Sequence, residues 1–195
     1  MAKATGTALL VIDLQRQFTD PDGAVAIEDG AGLVARVNAV VASARSVGVP
    51  ILWVEQRRRE GLPLARTSSR FGVDDLHRGR GAELDPALAA SEEDQRLVKR
   101  QQSAFAGTDL DLALRGLGVR RLVLAGVTTN VCVLATAKDA AERDLEVITL
   151  AEATASRAIQ RGDHQLTAAE VQRSALAFIN YAYGEVRSTD RLPWA

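Results

Sequence analysis

Four apolar runs constrain this chain more than anything else in it: 8–14 (ALLVIDL), 49–54 (VPILWV), 121–127 (RLVLAGV) and 146–150 (EVITL). Inside each run the apolar residues follow one another rather than alternating with polar ones. A strand of that kind has both faces buried, the condition of a parallel sheet with helices on either side. Helical stripes separate the runs. Leu33, Val37, Val40, Val41 and Ala44 predict a helix over 33–47, stopped by Gly48 and barred from continuing by Pro50. Leu110, Leu114 and Leu117 predict one over 109–117, with Gly118 as its stop. An alanine-rich helix is expected over 130–143. Another is expected over 167–181, opened by Thr167 as N-cap with Glu170 at capping-box spacing. Weaker signals predict a short helix at 85–90 and strands at 97–99 and 185–188.

This alternation predicts an α/β fold, a three-layer α/β/α sandwich around a central, mainly parallel, Rossmann-like sheet of about five or six strands. No internal repeat or linker divides the chain, so residues 1–195 are expected to form one domain. The arginine-rich stretch 55–81 is long for a compact domain, and loops of that length usually serve function.

The formal net charge of -1 gives no electrostatic reason to expect nucleic acid or a charged membrane as partner. One cysteine excludes an intrachain disulfide. Residues 1–7 hold no apolar run suited to a signal peptide, and 8–12 is too short to cross a bilayer. The cytoplasm is the expected location.

Ligands of open parallel sheets bind beyond the carboxyl ends of the strands. Asp13 ends the first strand, Lys99 the third, and Cys132 follows the fourth within one turn. A thiolate is the nucleophilic form of cysteine, and a helix N-terminus and a nearby cation both favour it. A carboxylate can take the thiol proton and later deliver it to a leaving amine. Each residue also has a plainer reading: Cys132 as a small core hydrophobe, Asp13 as a turn acceptor, Lys99 as a surface charge. An acid at the end of a buried strand is the hardest of the three to dismiss, because an unpaired buried carboxylate is costly.

At these residues the chain resembles the isochorismatase-like cysteine hydrolase superfamily. ALLVIDLQRQF (8–18) is similar to the family's first strand with its D-x-Q-x-x-F pattern, and 98–127 to its lysine segment and S-A-F-x-G-T-x-L helix entry. AGVTTNVCVLATAKDA (125–140) resembles the nucleophile turn. The segments 150–157 and 186–192, with His164, match a looser C-terminal pattern.

The resemblance implies an Asp13–Lys99–Cys132 triad and a cis peptide at Val127–Thr128. It also implies an oxyanion hole from the backbone N–H groups of Thr128 and Cys132. Nicotinamidases of this superfamily hold a metal on an Asp and two His after the second strand. Residues 53–71 contain no His, and the only histidines are His77 and His164. The expectation is therefore a metal-independent enzyme with no cofactor, closer to the N-carbamoylsarcosine amidohydrolase branch. It would cleave a C–N bond of a small amide, carbamoyl or ureido compound through a thioester.

Two alternatives stand beside that one. The first is vinyl-ether hydrolysis of the isochorismatase type, with Asp13 as general acid. The second is a non-catalytic binding or scaffold protein of the same fold. Phe18 is a candidate pocket wall. Among Arg57, Arg58, Arg59, Arg66 and Arg70, Arg57 is the candidate substrate contact, since it lies just behind the second strand. The resemblance also implies a homo-oligomer, a dimer or tetramer.

Overall fold

Main-chain register assembles the apolar runs into a single sheet. The computed structural model describes residues 6–58, 61, 69–73 and 76–194. Its elements are β1 (Thr7–Ile12), α1 (Arg16–Thr19), α2 (Gly30–Ser46), β2 (Ile51–Gln56), β3 (Gln95–Lys99), α3 (Leu110–Gly116), β4 (Arg121–Val127), α4 (Leu134–Ala141), β5 (Glu146–Ala155), β6 (Ile159–Arg161), β7 (His164–Leu166), α5 (Ala168–Ala182) and β8 (Glu185–Arg187). Six parallel strands form the main sheet in the order β3-β2-β1-β4-β5-β8.

Successive strand residues face opposite sides, and both sides are buried. Leu9, Val11, Trp53 and Val123 pack with Leu33, Val37 and Val41 of α2. Leu10, Ile12, Leu52 and Leu124 pack with Leu110 and Leu114 of α3, Ala137 and Ala140 of α4 and Ile179 of α5. This is the three-layer α/β/α sandwich. Each fully buried branched aliphatic side chain contributes about 1.5–3 kcal/mol, so the continuous apolar strands dominate the stability.

The helix ends follow local chemistry. Asp29 caps α2 by accepting from the Gly32 N–H at 3.0 Å. Thr167 and Glu170 form a complete capping box on α5. Gly126 has a positive φ of 117°, and a Cβ there would lie 2.0 Å from the Ile12 carbonyl oxygen. Only glycine lets β1 and β4 approach so closely.

From β1 the chain steps outward to β2 and β3, then crosses back to β4 on the other side of β1. That reversal opens a crevice at the carboxyl ends of β1 and β4, where ligands of such sheets bind.

Three expectations are corrected, and one element is new. The segment 85–90 is not helical. Asn38 of α2 straps it, its side chain donating to the Ala87 carbonyl and accepting from the Ala89 N–H, each at 2.8 Å. Tertiary hydrogen bonds thus override a weak local preference. The helix expected over 130–143 divides into a π-helical turn, Thr129–Val133, and α4. β5 runs on past Leu150 to Ala155, through an irregularity in its pairing with β4 between Leu124 and Gly126. The antiparallel hairpin of β6 and β7 was not expected; His164 lies in it, is exposed and precedes α5. Among the described residues no helix is long and apolar enough to cross a membrane.

Candidate active site

The register of the sheet decides which side chains meet above it. Asp13 follows the last residue of β1 with a positive φ of 54°, a conformation uncommon for residues other than glycine. Its N–H donates to the Val54 carbonyl at 2.9 Å. Gln56 and Lys99 are register partners at the ends of β2 and β3, so their side chains project to the same side. Lys99 is fully buried. Its Nζ lies 2.8 Å from Asp13 Oδ2 and donates to Gln56 Oε1 at 2.8 Å and to the Gln101 carbonyl at 3.0 Å. The Cys132 Sγ stands 3.3 Å away. An ammonium has three protons, and three oxygens are nearer than the sulfur. The sulfur therefore competes for Lys99 instead of owning a proton outright.

Cys132 sits in the π-helical turn, where the Val133 N–H donates to the Thr128 carbonyl five residues back at 3.2 Å. π-helical turns are rare and concentrate at functional sites. The Cys132 carbonyl accepts from Thr136 Oγ1 at 2.7 Å, and that oxygen accepts from the Ala104 N–H at 3.0 Å. The S-A-F segment is thereby tied to the turn that carries the thiol. The Val127–Thr128 peptide is cis.

Burial sets the electrostatics. It pushes the Asp13 carboxyl up, against the pull of Lys99, the Cys132 side chain and the Gln56 N–H. Burial opposes the Lys99 ammonium as well, but the Asp13 carboxylate and the contacts with Asp13 and the Cys132 side chain outweigh it and hold Lys99 above its ordinary value. The Cys132 thiol is pushed up to about 12, mainly by burial; Lys99 pulls it down and Asp13 raises it further. The sequence argument, from a helix end and a cation, expected the thiol to be lowered. Cys132 is buried and α4 starts two residues beyond it, so desolvation prevails.

Above the thiol lies a small, mostly apolar pocket. Phe18, Val25, Phe71, Leu76 and Val131 form its greasy wall, and Gln56, His77, Gln102, Thr128 and Arg157 supply polar groups beside Cys132. It opens into a wider groove that shares Phe71, Gln102, Thr128, Val131 and Arg157 and adds Arg70 and Arg161. Phe18 is thus both pocket wall and core residue.

Arg57 does not line this pocket. Its guanidinium binds Glu55 through Nε at 2.8 Å and a second nitrogen at 2.6 Å. Residues 55 and 57 share one side of β2's end, and the pocket takes residue 56 from the other. Arg59 and Arg66 lie outside the described residues.

Sequence reasoning missed Gln56, His77 and Arg157. Gln56 was detectable as a polar side chain one residue beyond a buried Glu, at a strand's carboxyl end. Arg157 is half-buried, and its Nε donates to the Ala26 carbonyl at 3.1 Å. No carboxylate pairs with it among the described residues, and burial lowers its pKa.

The arrangement is that of a known family. The chain belongs to the isochorismatase family: residues 7–189 match the model of the isochorismatase domain, and the protein is a hydrolase of that class. Among curated relatives it is 31% identical over 206 residues to the ureidoacrylate amidohydrolase RutB of Methylobacterium radiotolerans, covering 92% of this chain and 75% of the relative. It is 37% identical over 158 residues to a probable inactive nicotinamidase of Arabidopsis thaliana, covering 77% of this chain and 81% of that one. A solved cysteine hydrolase from Pseudomonas syringae superposes with a TM-score of 0.88 at 30% identity, over 97% of this chain and 95% of that one. N-carbamoylsarcosine amidase from Thermoplasma acidophilum gives a TM-score of 0.79 at 25% identity, over 97% and 99%.

Proposed function

We propose that this protein hydrolyses a C–N bond of a small amide, carbamoyl or ureido compound through a covalent intermediate on Cys132. The observation that carries the reading is the buried contact of Lys99 with both Asp13 and the Cys132 sulfur at the base of a pocket. The similarity to RutB and to N-carbamoylsarcosine amidase, whose names state ureide and carbamoyl chemistry, supports the substrate class.

The thiol is protonated at rest because burial holds its pKa near 12. Asp13, whose own proton affinity burial raises, takes that proton as the sulfur attacks the carbonyl carbon. Backbone N–H groups of Thr128 and Cys132 are the proposed oxyanion donors. The tetrahedral adduct collapses, the C–N bond breaks, and Asp13 returns the proton to the leaving amine. An amide leaves a thioester on Cys132; a ureide leaves an S-carbamoyl group. Water then attacks that carbon with Asp13 accepting its proton, and the sulfur departs as the thiol. Lys99 compensates the negative charge as it passes between Asp13 and the sulfur. Arg157, not Arg57, is the proposed anchor for an anionic substrate group, because it lines the pocket and no carboxylate pairs with it among the described residues. A reducing compartment such as the cytoplasm suits an enzyme that works through a free thiol.

A screen of small amides and ureides for ammonia or amine release, run beside Cys132→Ala, tests this. The expected result is turnover that falls by on the order of 10⁴-fold or more in the variant, with an acyl or carbamoyl mass trapped on the wild-type cysteine. Equal turnover by Cys132→Ala overturns the mechanism.

A further inference from the structure

We propose that His77 is a specificity residue of the Cys132 pocket: its Nε2–H is a fixed neutral donor for a carbonyl acceptor on the part of the substrate remote from the scissile bond. This rests on the reading of that pocket as the catalytic one. It narrows the substrate class to amides or ureides that carry a second acceptor.

The tautomer follows from the partners. The His77 backbone N–H can only donate, and it donates to Gln17 Oε1 at 3.0 Å. The other end of that amide, Gln17 Nε2, is therefore the NH₂ group, and it lies 2.9 Å from His77 Nδ1. It also donates to Gln15 Oε1 at 3.3 Å. With Nδ1 accepting, the ring proton must sit on Nε2. Gln15 is itself held, its Nε2 donating to the Gln56 and Ala82 carbonyls and its Oε1 accepting from the Gln56 N–H. The imidazole is clamped by a chain of amides that also fixes the backbone of Gln56.

The free end of the ring points to a ligand. His77 is only 5% exposed, and it lines the pocket that holds Cys132. Its Nε2 has no hydrogen-bond partner among the described residues. The residue also holds a positive φ of 64°, which glycine or asparagine would adopt at lower cost. Burial, followed by the charge of Lys99, lowers its pKa to about 3, so the donor stays uncharged across the working range. A neutral N–H meets a neutral carbonyl without the desolvation cost of an ion. A substrate that fills the pocket without offering that acceptor cuts the N–H off from water and leaves it unpaired, which corresponds to roughly tenfold to hundredfold in discrimination.

Acetoacetamide and butanamide test this, since one carbonyl distinguishes them. The wild type is expected to favour acetoacetamide in kcat/KM. His77→Phe and His77→Asn, the second chosen because asparagine tolerates the left-handed backbone, should reduce acetoacetamide turnover about tenfold more than butanamide turnover. Equal losses on the two amides, or an unchanged preference, overturn the proposal. Nitrogen-15 NMR of the Cys132→Ala protein, which holds either amide unreacted, gives a second readout. The His77 ring should show a protonated Nε2 and an accepting Nδ1. The Nε2–H resonance should shift with acetoacetamide and not with butanamide. A proton on Nδ1, or no His77 response to acetoacetamide up to its solubility limit, overturns the proposal. Amides that shift His77 but are not hydrolysed by the wild type count against the hydrolytic reading alone.

Discussion

Asp13, Lys99 and Cys132 stand at or just beyond the ends of β1, β3 and β4, whereas Phe18, Phe71, His77 and Arg157 reach the same pocket from α1 and from irregular segments around it. The first group is placed by parallel register: Ile12 pairs with both Val54 and Gly126, and Gln56 with Lys99. Main-chain hydrogen bonds therefore fix the floor of the pocket, and little can shift there without disrupting the sheet. The second group is placed by side-chain contacts, such as the Gln17–His77 clamp and the Arg157–Ala26 bond. A rim built that way can be altered residue by residue while the floor persists. On the proposed function, chemistry would belong to the floor and substrate choice to the rim.

The largest expected effect breaks the floor. Lys99→Met leaves Asp13 buried without its counterion and should cost about 3–5 kcal/mol of stability, read by urea denaturation. Asp13 has a raised pKa, so lowering the pH protonates it and removes the uncompensated charge. The loss should shrink toward acid, and Asp13→Asn added to Lys99→Met should restore most of it. A loss under about 1 kcal/mol would mean that the pair behaves like a surface contact.

At the rim, Arg157→Gln should leave stability nearly unchanged and raise KM for anionic amides by about tenfold to hundredfold, with little change for neutral ones. A kcat effect equal on both substrate types would place Arg157 in the floor's chemistry instead.

The smallest effect lies in the pH dependence of stability. His77 is held neutral, with a pKa near 3 in the fold against 6.5 for the ordinary side chain. Between those values the unfolded chain binds the extra proton, so stability rises with pH through this window and falls as the pH drops below 6.5. The contribution is about 1 kcal/mol over the first pH unit below 6.5, and His77→Asn should remove it from the denaturation profile. An unchanged slope would show that other groups carry the acid sensitivity.

Much of the floor was legible in the chain. Uninterrupted apolar runs announce a parallel sheet, and reactive residues just past such runs fall on its carboxyl edge. The capping box at Thr167 and Glu170 was equally plain, because every atom involved lies within four residues. The hairpin of β6 and β7 was not, since IQR and HQL are too short and polar to show a period; only Gly162–Asp163 between them hinted at its two-residue turn. The choice of Arg57 failed on parity. Adjacent strand residues point to opposite sides, so Arg57 falls with Glu55, which binds its guanidinium, and the pocket takes Gln56 instead.

The line between chain and fold falls where interactions stop being local. The order of strands and helices, the position of Asp13 after a buried run and the approach of the thiol to β4's end were all written in neighbouring residues, because apolar period and caps act over a few positions. Three things needed the fold. The partnership of Gln56 with Lys99 depends on register across 43 residues. The high pKa of Cys132 depends on how completely packing removes water from it. The clamp of Gln17 on His77 joins residues 60 apart through a backbone conformation that no local preference predicts.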